Sequence, residues 1–310
     1  MVVGSGCAGL TSALVAAKQG LKVLVLEKSN FFGGTTAYSG GGAWIPANKH
    51  QPTVGITDDS REKADLYLKN VVGDLYEPVL THAFLETGPR MVEWMEENTS
   101  MKFKPFPLPD YYEKKAGSSA GRTLLTREFD AAVLGRERLR DLRYTLQGFH
   151  AFGSMQADPI ELAYLAHPFS SLTNLTATAR KVLRYAWDLV RFGKGAVVAN
   201  GNAMVARLLY SCTQNPSYIT LWKNSPAMRT ILDDNRRVIG VVVGQKGGVE
   251  RIVKARRGVI LASGGFGRGP DAHKILRHEW TAQPRHNVGD GMRMAIESGG
   301  TLPPLNPDNG

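Results

Sequence analysis

The chain opens on an apolar fragment, Met1-Val2-Val3, that runs directly into GSGCAG, with glycines at 4, 6 and 9 spaced as G-x-G-x-x-G. Between a strand and a helix, this spacing restricts the fold severely. The first glycine allows the tight turn, the second lets the backbone approach a phosphate, and the third lets the helix pack closely on the strand. A helix is expected over residues 7–20, with Leu10, Ala13, Leu14 and Ala17 on one stripe. Its N-terminus offers N–H groups and the positive end of its dipole to a diphosphate. A second strand, KVLVLEK, ends in Glu27, about 20 residues beyond the glycines, where this unit places an acid for ribose hydroxyls. The reading is an α/β, Rossmann-like beginning that holds a dinucleotide through Gly4, Ser5, Gly6, Cys7, Ala8, Gly9, Glu27 and Lys28.

After Lys28 the chain continues SNFFGGTTAYSGGGAWIP. GGTTAYSGGG after this strand resembles the flavin-contacting segment of the FAD-dependent family that includes fumarate reductase flavoproteins and 3-ketosteroid dehydrogenases. The resemblance implies FAD as cofactor. Gly33, Gly34, Tyr38, Gly40 and Gly41 would bring backbone close to it, and Thr35, Thr36 and Ser39 would donate hydroxyls. Two later segments fit the same family. GVILASGGFG resembles its A-T-G-G strand end, which by analogy lays Ala262, Ser263, Gly264 and Gly265 over the pyrophosphate, with the Ala227 backbone near adenine. Gly289-Asp290-Gly291 resembles the family's G-D-G beside the cofactor, although Asp290 could equally serve as a helix N-cap. The implied architecture is a parallel sheet with helices plus a β-meander. It forms an FAD-binding domain over residues 1–300 and leads at 301–310 into the connection to a substrate-capping domain that is expected to be largely missing.

The loop PDYY, followed by a Gly/Ser-rich stretch ending in GR, resembles 3-ketosteroid Δ1-dehydrogenases, and SGGGAWIP leans the same way. In such enzymes a hydride passes to flavin N5 from a carbon near a ketone while a protein group handles the neighbouring proton. The resemblance gives that role to Tyr111, with Tyr112 as the adjacent alternative. A phenol ordinarily titrates near pH 10, so as a base it needs tuning or a partner; either ring could instead lid the pocket by packing. Two further readings stay open: a fumarate reductase-like enzyme acting on an unsaturated dicarboxylate, and a truncated FAD-binding fragment without turnover. The ends depart from the family pattern. The first strand is short, and LPPLNPDNG falls near where relatives insert the capping domain.

Net charge is +10, yet the densest basic run, RERLRDLR at 136–143, alternates with acids and leucines. It reads as a solvated helix face, so no nucleic-acid partner is expected. With only Cys7 and Cys212, neither a disulfide framework nor a metal site is implied. Cys7 reads as a small residue that fits the loop. No stretch has the ~20 apolar residues of a membrane span and no signal peptide is evident, so a soluble cytoplasmic protein acting on a small molecule is expected. Further helices are expected over 58–72, 78–98, 160–192 with a break near Pro168, and 201–212. Residues 104–109 should be irregular. Phe84, Met91, Val92, Trp94 and Met95 form a candidate buried stripe. YITLW, MRTILDD, VIGVVVG and VERIVKA read as the strands of the meander.

Overall fold

The computed structural model describes residues 1–245, 247–270, 272–276 and 280–302. Most of the expected 301–310 connection therefore lies outside the described residues. Two compact units are present: residues 1–39 with 129–310, and residues 40–128.

In the first unit, strands β1 (Val2–Val3) and β2 (Val23–Leu26) flank helix α1 (Cys7–Lys18). They belong to a four-stranded sheet whose order runs Ile219–Trp222, β2, β1, Ile260–Leu261, every neighbouring pair parallel. Parallel strands need crossovers and are buried on both faces, which is why β2 reads as a continuous apolar run. Leu10, Ala13, Leu14 and Ala17 are all buried, as the stripe requires. Gly9 lets α1 pack tightly on the end of β1, since a Cβ there would lie 2.0 Å from the Gly4 carbonyl oxygen. Helix Asn200–Thr213 packs against α1, and Ala203, Val205, Leu208 and Leu209 are buried as expected.

The meander is antiparallel, with strands Ala227–Leu232, Val238–Gly244 and Glu250–Lys254. YITLW is not part of it. Ile219–Trp222 pairs in parallel with β2 through Ile219↔Val23 and its successors. Alternation alone cannot tell a meander strand from the edge of a parallel sheet; the pairing partner decides. Val3, Leu26, Ala227, Val241, Val243 and Met294 form one buried cluster, so the meander and the parallel sheet share a core.

The expected 160–192 helix is two, Pro159–Ala166 and Leu172–Phe192, interrupted around Pro168; Gly193 closes the second in the left-handed conformation at φ 78°. The basic run departs from expectation at its end. Helix Gly135–Asp141 stops before Arg143, whose side chain is buried. Beside it, Lys194 donates to the carbonyls of Leu139 and Leu142 and lies 4.3 Å from the Tyr144 ring centroid. Burial pushes its ammonium down to about 8 from 10.5.

That shift has a definite sign. Between about pH 8 and 10.5 the unfolded chain binds the proton that the folded chain has released, so stability rises with pH across that window. Lys194→Met removes this titration. The difference in unfolding free energy between wild type and the variant should change by about 1–3 kcal/mol over the window in urea titrations. A pH-independent difference would refute the assignment.

The second unit places helices Arg61–Val72 and Pro78–Asn98 with a small antiparallel sheet ordered Gly42–Trp44, Thr123–Thr126, Phe103–Pro105. Lys104 and Pro105, expected to be irregular, form part of that last strand. Proline is tolerated because the strand lies at a sheet edge. Val92 and Met95 are buried, whereas Phe84 stays 42% exposed and stacks on Trp44 at 6.1 Å. At the centre of the unit, Arg122 is bound by Asp59 and Asp110, both at 2.7 Å, and Trp44 donates its indole N–H to Asp110.

Candidate functional site

The turn from β1 into α1 opens one wall of a cleft of about 240 Å³. Gly4 adopts φ +104°, and a Cβ there would meet the Ala262 carbonyl oxygen at 2.2 Å, so the two strand ends meet with no room for a side chain. Gly6 caps α1 without any side-chain cap. Gly6, Cys7 and Ala8, at the start of α1, line the cleft, and Cys7 N–H donates to Thr36 Oγ1 at 3.0 Å. An uncapped helix start in a concave wall is an anion cradle.

The opposite walls come from distant parts of the sequence. Glu27 is 7% exposed and accepts from Ser5 Oγ, Ser29 N–H and Ser29 Oγ. Those bonds orient its carboxylate, whose Oε2 holds a single protein donor and keeps acceptor capacity for a ribose hydroxyl. Lys28 pairs with Asp290 at 2.7 Å. Asp290 is the first residue of helix Asp290–Glu297, and Gly289 is its N-cap. The alternative N-cap reading of Asp290 is therefore corrected: a left-handed φ of 86° favours the glycine at that position.

Around the cleft the structure gathers Gly4, Ser5, Gly6, Cys7, Ala8, Glu27, Lys28, Gly34, Thr35, Thr36, Ala227, Ala262, Ser263, Gly264 and Asp290. Five expected contacts from the same unit are not in its lining. Gly9 serves helix packing, and Gly33 donates its N–H to Ser5 Oγ from behind. Ser39 accepts the Gly201 N–H through its carbonyl, a Cβ on Gly265 would press on Gln283, and Tyr38 lines a neighbouring cleft of about 440 Å³. Gly40 and Gly41 belong to the second unit, as do Tyr111 and Tyr112, which are 102% and 58% exposed.

Three wall residues were not among those expected from the sequence. Asn287 donates to Thr35 Oγ1 at 2.9 Å, ordering that hydroxyl. His286 is held below the usual histidine range by burial and then by Arg143, Arg285 and Lys28. Arg143 enters from the end of the basic run. Of these, Asn287 and His286 had a signal only in their proximity to Gly289-Asp290-Gly291.

A dinucleotide fits these walls. The Cβ positions of Gly6 and Gly34 are open towards the cleft, with only Thr36 Oγ1, Gly33 O and Gly6 backbone atoms within 4 Å. The wall also offers helix N–H donors, a fixed carboxylate and ordered hydroxyls. The class defined is a dinucleotide-binding α/β domain with a meander. The chain belongs to the FAD binding domain family, whose model matches residues 1–308, and FAD is its cofactor.

Individual relatives narrow the comparison. The chain is 34% identical over 310 residues to the 4-oxocyclohex-2-ene-1-carboxylate 5-dehydrogenase of Sinomonas cyclohexanicum, covering 97% of this chain and 51% of that protein. It is 35% identical over 291 residues to the 3-oxosteroid 1-dehydrogenase of Comamonas testosteroni, with 93% and 49% covered. It superposes on the crystal structure of 3-ketosteroid Δ1-dehydrogenase from Sterolibacterium denitrificans, in complex with 1,4-androstadiene-3,17-dione, with TM-score 0.84 and 33% identity over 96% of this chain and 54% of that one. The chain thus spans about half the length of these relatives. Among the described residues no helix is long and apolar enough to cross a membrane.

Proposed function

We propose that this chain is the cofactor-holding part of an FAD-dependent dehydrogenase acting on a CH–CH bond beside a ring ketone, in the manner of a 3-ketosteroid Δ1-dehydrogenase. The observation that carries the reading is the fit to the 3-ketosteroid Δ1-dehydrogenase structure at TM-score 0.84 and 33% identity. The names of the two sequence relatives point the same way, since a 3-oxosteroid and a 4-oxocyclohexene carboxylate are both ring ketones. FAD supplies the hydride acceptor when bound. In this reading the α1 N-terminus takes the diphosphate, Glu27 the ribose, Thr35 and Thr36 the neighbouring hydroxyl contacts, and the Ala262–Gly264 backbone closes over the cofactor.

The proton is assigned to Tyr111, with Tyr112 beside it. The PDYY motif, which resembles the tyrosine loop of 3-ketosteroid Δ1-dehydrogenases, supports this role. Reconstitution with FAD, followed by anaerobic mixing with 4-androstene-3,17-dione, should bleach the flavin's visible absorbance. Recovery of the visible absorbance of dithionite-reduced flavin on adding fumarate-type dicarboxylates, with no bleaching of the oxidised flavin by the ketone, would replace this reading. Tyr111→Phe should slow bleaching by about 10²–10⁴-fold, the usual worth of a general acid or base, without changing FAD affinity. If only Tyr112→Phe slows it, the role passes to Tyr112.

A further inference from the structure

Arg143 is a buried guanidinium with no carboxylate partner among the described residues. Its side chain is buried, its Nη2 donates to Ser29 Oγ at 2.7 Å, and its Nε is buried with no hydrogen-bond partner. Nη1 makes no hydrogen bond among the described residues, and the side chain lines the cofactor cleft. The rings of Phe31 and Tyr38, at 6.0 and 5.8 Å from the guanidinium carbon, fix its orientation without neutralising it. A buried charge left in this state is costly, so such groups are ordinarily paired.

The other charges of the cleft do not supply the partner. Lys28 and Asp290 are paired with each other, and Glu27 is engaged by Ser5 and Ser29. Among the described residues, Arg143 is therefore a cation of the wall still in want of an anion, lining the same cleft as the start of α1. FAD, on which this argument rests, brings one dianionic group, its diphosphate. We infer that Arg143 is the counter-ion of the FAD diphosphate, its free Nη1 donating to a phosphate oxygen opposite the helix N-terminus. Guanidinium suits this task because it stays charged when buried and matches phosphate geometry.

The alternative is that Arg143 only steadies the Ser29–Glu27 pair, which faces the ribose. Calorimetric titration of the flavin-free chain with FAD, ADP and adenosine separates the two roles. Arg143→Gln should weaken FAD and ADP by about tenfold or more, the worth of a charge-assisted hydrogen bond, and change adenosine less than about twofold. The loss should shrink at high salt, and Arg143→Lys should recover part of it. Equal losses for adenosine and ADP would overturn the inference in favour of the positioning role, and unchanged FAD and ADP affinities would overturn it outright. A wild-type chain that bound ADP but not FAD would refute the flavin assignment, while the ADP and adenosine results would still decide the diphosphate role.

Discussion

Arg122→Met should destabilise the second unit by about 3–5 kcal/mol, the usual penalty for removing one partner of a buried ion cluster. The arginine side chain has no exposure, and it leaves Asp59 and Asp110, at 2% and 3% exposure, as two uncompensated carboxylates. Its guanidinium also lies 5.5 Å from the ring centroids of both Trp44 and Tyr67, so the aromatic packing loosens with it. Burial works against ionisation of Asp59, but hydrogen bonds from Arg122, Gln51 and the Ala47 N–H hold its carboxyl below the ordinary range. A depressed folded-state value means that this stabilisation is complete above about pH 4 and is lost as pH falls through the depressed value. Arg122→Met should therefore flatten the acid limb of the urea midpoint profile as well as lower the midpoint. The triple variant R122M/D59N/D110N, which removes the charges together, should recover much of the loss. A single variant as stable as wild type would show that the cluster is not a stabilising centre.

Gly4→Ala should be equally damaging for a different reason. The residue combines φ +104° with a Cβ position 2.2 Å from the Ala262 carbonyl oxygen, a backbone atom that cannot swing aside. The strained dihedral and the overpacking together should cost about 3–5 kcal/mol. The displaced strand end would also take Ala262–Gly264 out of the cleft wall. FAD affinity should fall by about 100-fold or more, measured by flavin fluorescence on whatever folded protein remains. Gly20→Ala is the control. It shares a positive φ, 79°, but has nothing within 4 Å of its Cβ, so only about 1 kcal/mol of strain is expected and FAD binding should be unchanged. Similar losses from both substitutions would remove the packing argument.

Local rules made much of the fold legible. Glycines that must turn tightly, apolar residues at 3.6-residue spacing in α1 and in Asn200–Thr213, Pro78 in a first helical turn and Gly193 at a helix end all follow from short-range sterics and periodicity. Most of the cleft was legible too, because a phosphate cradle needs small residues in a fixed order along the chain. Two kinds of feature were not. YITLW alternates as a meander strand would, and only parallel pairing with Val23–Leu26 places it in the main sheet. Arg143 closes a run of alternating charges and leucines that reads as a solvated face, but the helix stops at Asp141 and the chain turns the guanidinium inward.

The sequence by itself determined the strand–glycine–helix unit and the residues that must be small, since each depends on neighbours a few positions away, and the order of its motifs carried the family resemblance that implies FAD. Tertiary structure alone decided which charges meet. Lys28 pairs with Asp290, Glu27 engages Ser5 and Ser29, and Arg143 is left lining the cleft with no carboxylate partner among the described residues. The reason is physical. The cost of burying a charge depends on what lies within a few ångströms of it, and those groups lie between 22 and 262 residues away in the chain for Ser5–Glu27 and Lys28–Asp290.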